Sequence, residues 1–136
     1  MIATLKSLPR RVAARSRPKQ AATVLLILSD APFGGDTTWN ALRLASTLLD
    51  QGAHVRIFVM NDAIDLVREG AMPDGAEFDL QAMLRALLPR GARLKICTTC
   101  VNRCGIGQGD VLPEATMATM GDLAAWVIEN DRVLVF

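Results

Sequence analysis

The sequence predicts a doubly wound α/β domain, a mostly parallel sheet of four to five strands with helices on both faces. Three observations carry that expectation. Short apolar runs alternate with stretches of helical periodicity, joined by short links. The first run, Thr23–Ser29 (TVLLILS), has no polar interior position, as in a strand buried on both faces. The chain has 136 residues, 51% of them hydrophobic, which suits one domain with a real core and excludes a disordered chain.

The elements follow in order. After Thr23–Ser29 comes the turn-rich DAPFGGD, and residues 37–50 then place Ala41, Leu42, Ala45, Leu48 and Leu49 on one helical face. Gly52 sits where a helix C-terminus wants glycine. His54–Met60 (HVRIFVM) reads as a second strand, with Asn61 the expected cap of a short helix running to Gly70. Residues 71–76 form a loop. Residues 77–89 set Leu80, Leu84, Leu87 and Leu88 on one face, closed by Gly91. Arg93–Cys97 (RLKIC) is a third strand. Thr119 and Asp122 have capping-box spacing ahead of the stripe Met120, Leu123, Ala124, Val127 and Ile128. Asn130 stops that helix, and Arg132–Phe136 (RVLVF) is a last strand.

Charge divides the chain. Residues 1–22 hold Lys6, Arg10, Arg11, Arg15, Arg17 and Lys19 and no acid. Residues 23–136 carry nine basic residues against fourteen acidic ones, a net charge of −5. An acidic body argues against a nucleic-acid partner, which would want a basic face on folded structure. No apolar run approaches the roughly 20 residues that span a bilayer, so no membrane partner is expected. Arg10-Arg11 is followed by Arg15, Arg17 and Lys19 where an export signal needs an apolar stretch. An Arg-rich, acid-free segment also resembles an organellar transit peptide. The expectation is a dispensable, disordered basic tail over 1–22 and a single α/β domain over 23–136.

Three cysteines, Cys97, Cys100 and Cys104, fall within eight residues and nowhere else. Ligands and chemistry in such folds collect beyond the carboxyl ends of the strands, which is where Cys97 lies. Peptide N–H groups of a turn, or of a following helix, can stabilise a thiolate there, and Arg103 adds a nearby positive charge. Four readings stay open. Cysteines can be small buried hydrophobes, but three together make that weak. Cys97-Thr98-Thr99-Cys100 is a C-x-x-C dithiol. The C-x2-C-x3-C spacing supplies three thiolates for a metal or an iron–sulfur cluster and needs a fourth ligand. The lone His54 is expected at the far end of the sheet, and acidic ligands suit such a cluster poorly. Finally, one reactive cysteine could carry a persulfide in sulfur transfer.

The loop Asp30–Asp36 follows the first strand and belongs at the same end as Cys97. Asp30, Phe33, Asp36, Trp39, Asn40 and Arg103 are therefore the candidate pocket residues. Gly34-Gly35 reads as turn geometry with Asp36 as helix cap. Neither G-x-G-x-x-G nor a P-loop is present, and no cofactor is expected. Trp126 reads as packing or a subunit contact, and His54 as structural.

Four segments, in order and at matching spacing, resemble the DsrE/DsrF-like family, closest to its YchN-type branch. They are Phe33-Gly34-Gly35-Asp36 through Trp39-Asn40-Ala41-Leu42-Arg43-Leu44-Ala45, then Ile57-Phe58-Val59-Met60-Asn61-Asp62-Ala63. The others are Cys97-Thr98-Thr99-Cys100-Val101-Asn102-Arg103-Cys104-Gly105-Ile106, and Met120-Gly121-Asp122-Leu123-Ala124-Ala125-Trp126-Val127 with the closing Asp131–Phe136. The resemblance covers 23–136. It implies a flavodoxin-like subunit assembled as a homotrimer or homohexamer in the cytoplasm, with sulfur donor and acceptor proteins as partners. It implies Cys97 as the residue that accepts persulfide sulfur, with Cys100 matching a second cysteine of the YchN-type branch. Where the family has Arg before Gly105, this chain has Cys104. A third thiol there is a candidate resolving cysteine or ligand. The function expected is a cysteine-dependent sulfur carrier; the alternatives are a metal or iron–sulfur protein using Cys97, Cys100 and Cys104, or a non-catalytic redox-sensing oligomer.

Overall fold

The computed structural model describes residues 20–136, so residues 1–19 of the basic segment, and the tail expected there, lie outside the described residues. The strands are β1 (Thr23–Leu28), β2 (His54–Val59), β3 (Arg93–Cys97), β4 (Thr116–Ala118) and β5 (Arg132–Val135). The helices are α1 (Thr37–Asp50), α2 (Leu80–Leu87), α3 (Thr98–Arg103) and α4 (Met120–Glu129). Asn61–Leu66 winds as a tight 3-10 segment, short of the helix to Gly70 that the sequence suggests.

The five strands form one sheet in the order β4-β3-β2-β1-β5, and every pairing is parallel. Thr23 lies opposite His54 and Leu28 opposite Val59, which sets the central register. From β1 to β4 each strand is laid on the same side of the last, so the right-handed crossover rule sends α1 and α2 to one face. The step from β4 to β5 runs back across the sheet, and α4 therefore covers the other face. The expected three-layer architecture is present. The residues around β4 are the part that periodicity missed, because three residues carry no period.

The two faces differ in thickness. Under α1 and α2, Val24, Leu26, Leu28, Val55, Ile57, Val59, Leu94 and Ile96 pack with Ala41, Leu42, Ala45, Leu80, Leu84 and Leu87. Under α4 the cluster is smaller: Leu25, Ile27, Phe58, Cys97 and Ala118 meet Leu123 and Trp126. Trp126 is a packing residue, 3% exposed, and three cations surround its indole. The Arg56 and Arg93 guanidinium carbons lie 5.4 and 5.8 Å from its ring centre, and Lys95 Nζ lies 4.4 Å away. Arg56 also pairs with Glu129 at 2.6 Å, tying β2 to the end of α4.

Local signals explain most boundaries. Thr119 Oγ1 accepts from the Asp122 N–H and the Asp122 carboxylate accepts from the Thr119 N–H, the full capping box. Asp79 caps α2 by accepting from the Ala82 N–H at 2.9 Å, so α2 starts three residues later than the pattern of apolar positions suggests. Asp36 does occupy the position before α1, but its side chain makes no cap hydrogen bond; its carbonyl accepts from the Asn40 N–H instead. Gly34, at φ +98°, gives the turn before it a conformation that favours glycine. Asn130 ends α4 with its side-chain amide donating to the Trp126 carbonyl at 2.6 Å. His54 is exposed at the start of β2, at the opposite end from the cysteines.

A candidate thiol site at the start of the third helix

Cys97 ends β3 and is the residue from which α3 begins. Its sulfur accepts the Cys100 N–H at 3.2 Å, so the thiol itself does the capping that Ser or Asp does elsewhere. Val101, fully buried, anchors α3 to the core beneath it. Gly105, at φ +68°, then closes the helix, and the Ile106 N–H returns to the Val101 carbonyl. Two turns of chain thus hold three thiols at three depths.

Cys97 is 6% exposed, packed among Phe58, Ala118 and Trp126 on the α4 side. Burial, first, and then a thiol–thiol hydrogen bond with Cys100 push its pKa above the ordinary 9.0; the Cys100 N–H pulls the other way and does not prevail. Cys100 is half-buried, and Cys104 is exposed. The Cys100 sulfur accepts a backbone donor of its own, the Asn61 N–H, at 3.3 Å. Asn61 is the one non-glycine residue with positive φ among the described residues, at +50°. Its side-chain amide donates to Ser29 Oγ at 2.8 Å, which bridges the ends of β1 and β2. The sequence suggests Asn61 as a helix cap; in the structure it is the residue that turns its amide onto a sulfur. An asparagine directly after a strand, a residue type tolerant of this conformation, was the available signal.

Cys100 and Cys104, one helical turn apart, line a cleft of about 460 Å³ together with Ser29, Asp30, Asn61, Asp62 and Arg103. Of the candidate pocket residues, Asp30 and Arg103 lie at this cleft, while Ser29, Asn61 and Asp62 are outside the candidate set. Phe33, Asp36 and Trp39 line a separate cleft of about 340 Å³ with Asp74 and Phe78, and Trp39 stacks on Phe78 with ring centres 4.7 Å apart. Asn40 is exposed on α1 and accepts from Arg43. The candidate residues therefore divide between two clefts. Among the described residues no group of three Cys, His, Asp or Glu side chains converges to hold a metal ion, so the three thiols are not a ligand set as they stand. What the arrangement offers is a buried thiol in contact with a half-buried one that faces an open cleft.

Fold and site together define a class: a parallel α/β domain bearing reactive-thiol candidates where its third strand meets a helix. The sequence profile of the DsrE/DsrF-like family matches residues 22–136, and the chain belongs to that family, which is linked to sulfur relay. An uncharacterized protein of Methanopyrus kandleri is 34% identical over 119 residues, spanning 88% of this chain and 98% of that one. Protein YchN of Escherichia coli K12 is 31% identical over 115 residues, spanning 83% and 97%. The crystal structure of the E. coli YchN protein superimposes with a TM-score of 0.77 at 30% identity, covering 85% of this chain and 99% of that one. A protein of unknown function from Methanobacterium thermoautotrophicum shares the fold, with a TM-score of 0.67 at 12% identity and coverage of 85% and 99%.

Proposed function

We propose that this chain is a cysteine-dependent sulfur carrier. It takes sulfane sulfur as a persulfide on the Cys97–Cys100 pair and passes it to a cysteine of a partner protein. The observation that carries the reading is the pair itself: two thiols in mutual contact, each sulfur receiving a backbone N–H, with Cys100 lining an open cleft and Cys97 buried behind it. A persulfide is anionic at neutral pH, and oriented N–H groups with Arg103 at the cleft favour negative charge there. Cys97 is the position that the family resemblance makes the acceptor; Cys100 stands between it and solvent. Free thiols at all three positions fit a reducing compartment, the cytoplasm.

Incubation with a small-molecule persulfide tests this. Wild-type protein is expected to take up sulfane sulfur, and the Cys97→Ser/Cys100→Ser double variant to take up less than about a tenth as much. Full uptake by the double variant, on Cys104 alone, would sink the reading.

We also propose that the chain works as a homo-oligomer, a trimer or hexamer. Met120, Val127 and Ile128 of α4 and Val133, Leu134 and Val135 of β5 are all exposed, and β5 is an edge strand. An apolar helix surface beside an open apolar edge is the pattern that interfaces bury.

A further inference from the structure

The two thiols of the pair are not equivalent, and their difference assigns each a step. Cys100 has an open side: it lines the cleft with Asp30, Asp62, Arg103 and Cys104. Cys97 is buried: it is 6% exposed, in one cluster with Phe58, Ala118 and Trp126, and the half-buried Cys100 packs against that cluster. A donor persulfide meets Cys100 first. Asn61 directs its N–H at the Cys100 sulfur, from a backbone conformation that no other non-glycine residue among those described adopts. Nothing comparable from outside α3 serves Cys97, whose backbone donors, the Cys100 N–H foremost and then that of Thr99, belong to the first turn of α3 itself.

We infer that Cys100 is the thiol that receives the sulfur, and that Cys97 is a resolving thiol that discharges the Cys100 persulfide as sulfide. The inference rests on the sulfur-carrier reading and goes beyond it by giving the persulfide a second fate. With an acceptor protein docked, the terminal sulfur leaves with the acceptor. Without one, the Cys97 sulfur attacks the inner sulfur, the Sγ of Cys100. The bond between that sulfur and the terminal sulfur breaks as the Cys97–Cys100 disulfide forms. The terminal sulfur leaves as hydrosulfide, taking the bonding pair and the proton that Cys97 gives up. The terminal sulfane sulfur is reduced by two electrons, and the two cysteine sulfurs together lose two. No outside oxidant enters. A small thiol or a dithiol protein then reduces the disulfide and resets the pair.

Because Cys97 is buried against Cys100 of the same chain, the step is intramolecular and does not depend on protein concentration. A chain that holds both thiols in contact thus releases, on its own, sulfur that a single-cysteine carrier would keep.

The test uses the full chain, reduced and held without oxygen, with one equivalent of glutathione persulfide, followed by alkylation of free thiols. Trypsin cuts after Lys95 and Arg103, so residues 96–103 form one peptide carrying Cys97 and Cys100, and Cys104 falls in the next. In the wild type this peptide is expected to escape alkylation at both cysteines, as an internal disulfide, with about one equivalent of sulfide released per chain. In Cys97→Ser the same peptide should carry about 32 Da of extra mass on Cys100, with sulfide release at least about tenfold lower. Cys97→Ala, which keeps the buried site apolar, should behave the same way if the serine variant folds poorly. A Cys100 persulfide equally long-lived in wild type and Cys97→Ser would overturn the resolving step and leave the carrier standing. So would sulfur taken up on Cys97 at the wild-type rate in Cys100→Ser. If neither persulfide nor disulfide forms in any variant, the carrier reading itself falls.

Discussion

Cysteine chemistry is governed by where each sulfur stands relative to water, and the three thiols of α3 stand at three depths. Alkylation by iodoacetamide should therefore proceed on Cys104 and Cys100 before Cys97, read by fragment masses over a pH series. Burial and its hydrogen bond with Cys100 hold the Cys97 proton in the folded state, so its labelling by an outside reagent should be slow at neutral pH and gain toward the alkaline end of the series. The linked effect has a definite sign. A thiol whose folded pKa is raised contributes stability that is present below 9.0 and lost as pH rises through the higher folded value. Labelling of Cys97 ahead of Cys100 would contradict the structure. The sequence placed Cys97 at a strand end correctly, because β3 is an apolar run ended by its cysteine. It did not reveal which thiol faces solvent. That depends on α3, and Thr98, Thr99 and Val101 are β-branched residues with no preference for a helix.

Elements were legible where their determinants are local. The capping box of α4 needs only Thr119 and Asp122, and both of its reciprocal bonds are present. Thr119→Ala should cost about 1 kcal/mol in urea unfolding. The Thr119 N–H and hydroxyl hold the Asp122 carboxyl below its ordinary 3.8. A depressed folded pKa gives stability that is present above 3.8 and lost as pH falls through the lower folded value. Asp122→Asn should accordingly be less stable than wild type at neutral pH and lose less on acidification toward about pH 3. A constant difference between the two across that range would refute the assignment. Less legible were elements set by distant partners. β4 exists because Lys95, Ile96 and Cys97 offer an edge to Thr116, Met117 and Ala118, a pairing that those three residues alone do not announce. Asp36 shows the converse: position before a helix is local, but whether the carboxylate bonds the first turn depends on how the loop arrives.

For the whole molecule, alternation of strands and helices was enough to give a parallel three-layer domain, and handedness then assigns α4 to its own face. That face is thinly covered, and its rim is apolar: Ile128 is 84% exposed, Val135 68% and Met120 63%. On the proposed homo-oligomer, Ile128→Asp combined with Val135→Asp should reduce the mass seen by analytical ultracentrifugation to the 14.7 kDa of one chain while leaving the circular dichroism unchanged. An assembly of unchanged mass would place the interface elsewhere. Such a surface is invisible to periodicity, which reports that Ile128 belongs to an apolar stripe and not that the stripe lacks a cover.

The setting of Trp126 has a practical consequence. The sequence contains two tryptophans and no tyrosine, so its near-ultraviolet emission comes from two indoles in unlike surroundings. Trp39 is stacked on Phe78 beside one cleft, whereas Trp126 lies in the same cluster as Cys97, ringed by Arg56, Arg93 and Lys95. With Trp39→Phe, the remaining light comes from an indole packed beside the buried thiol. The protein thereby carries its own lamp next to Cys97, and a change in that sulfur's bonding can be followed as it happens, without a label.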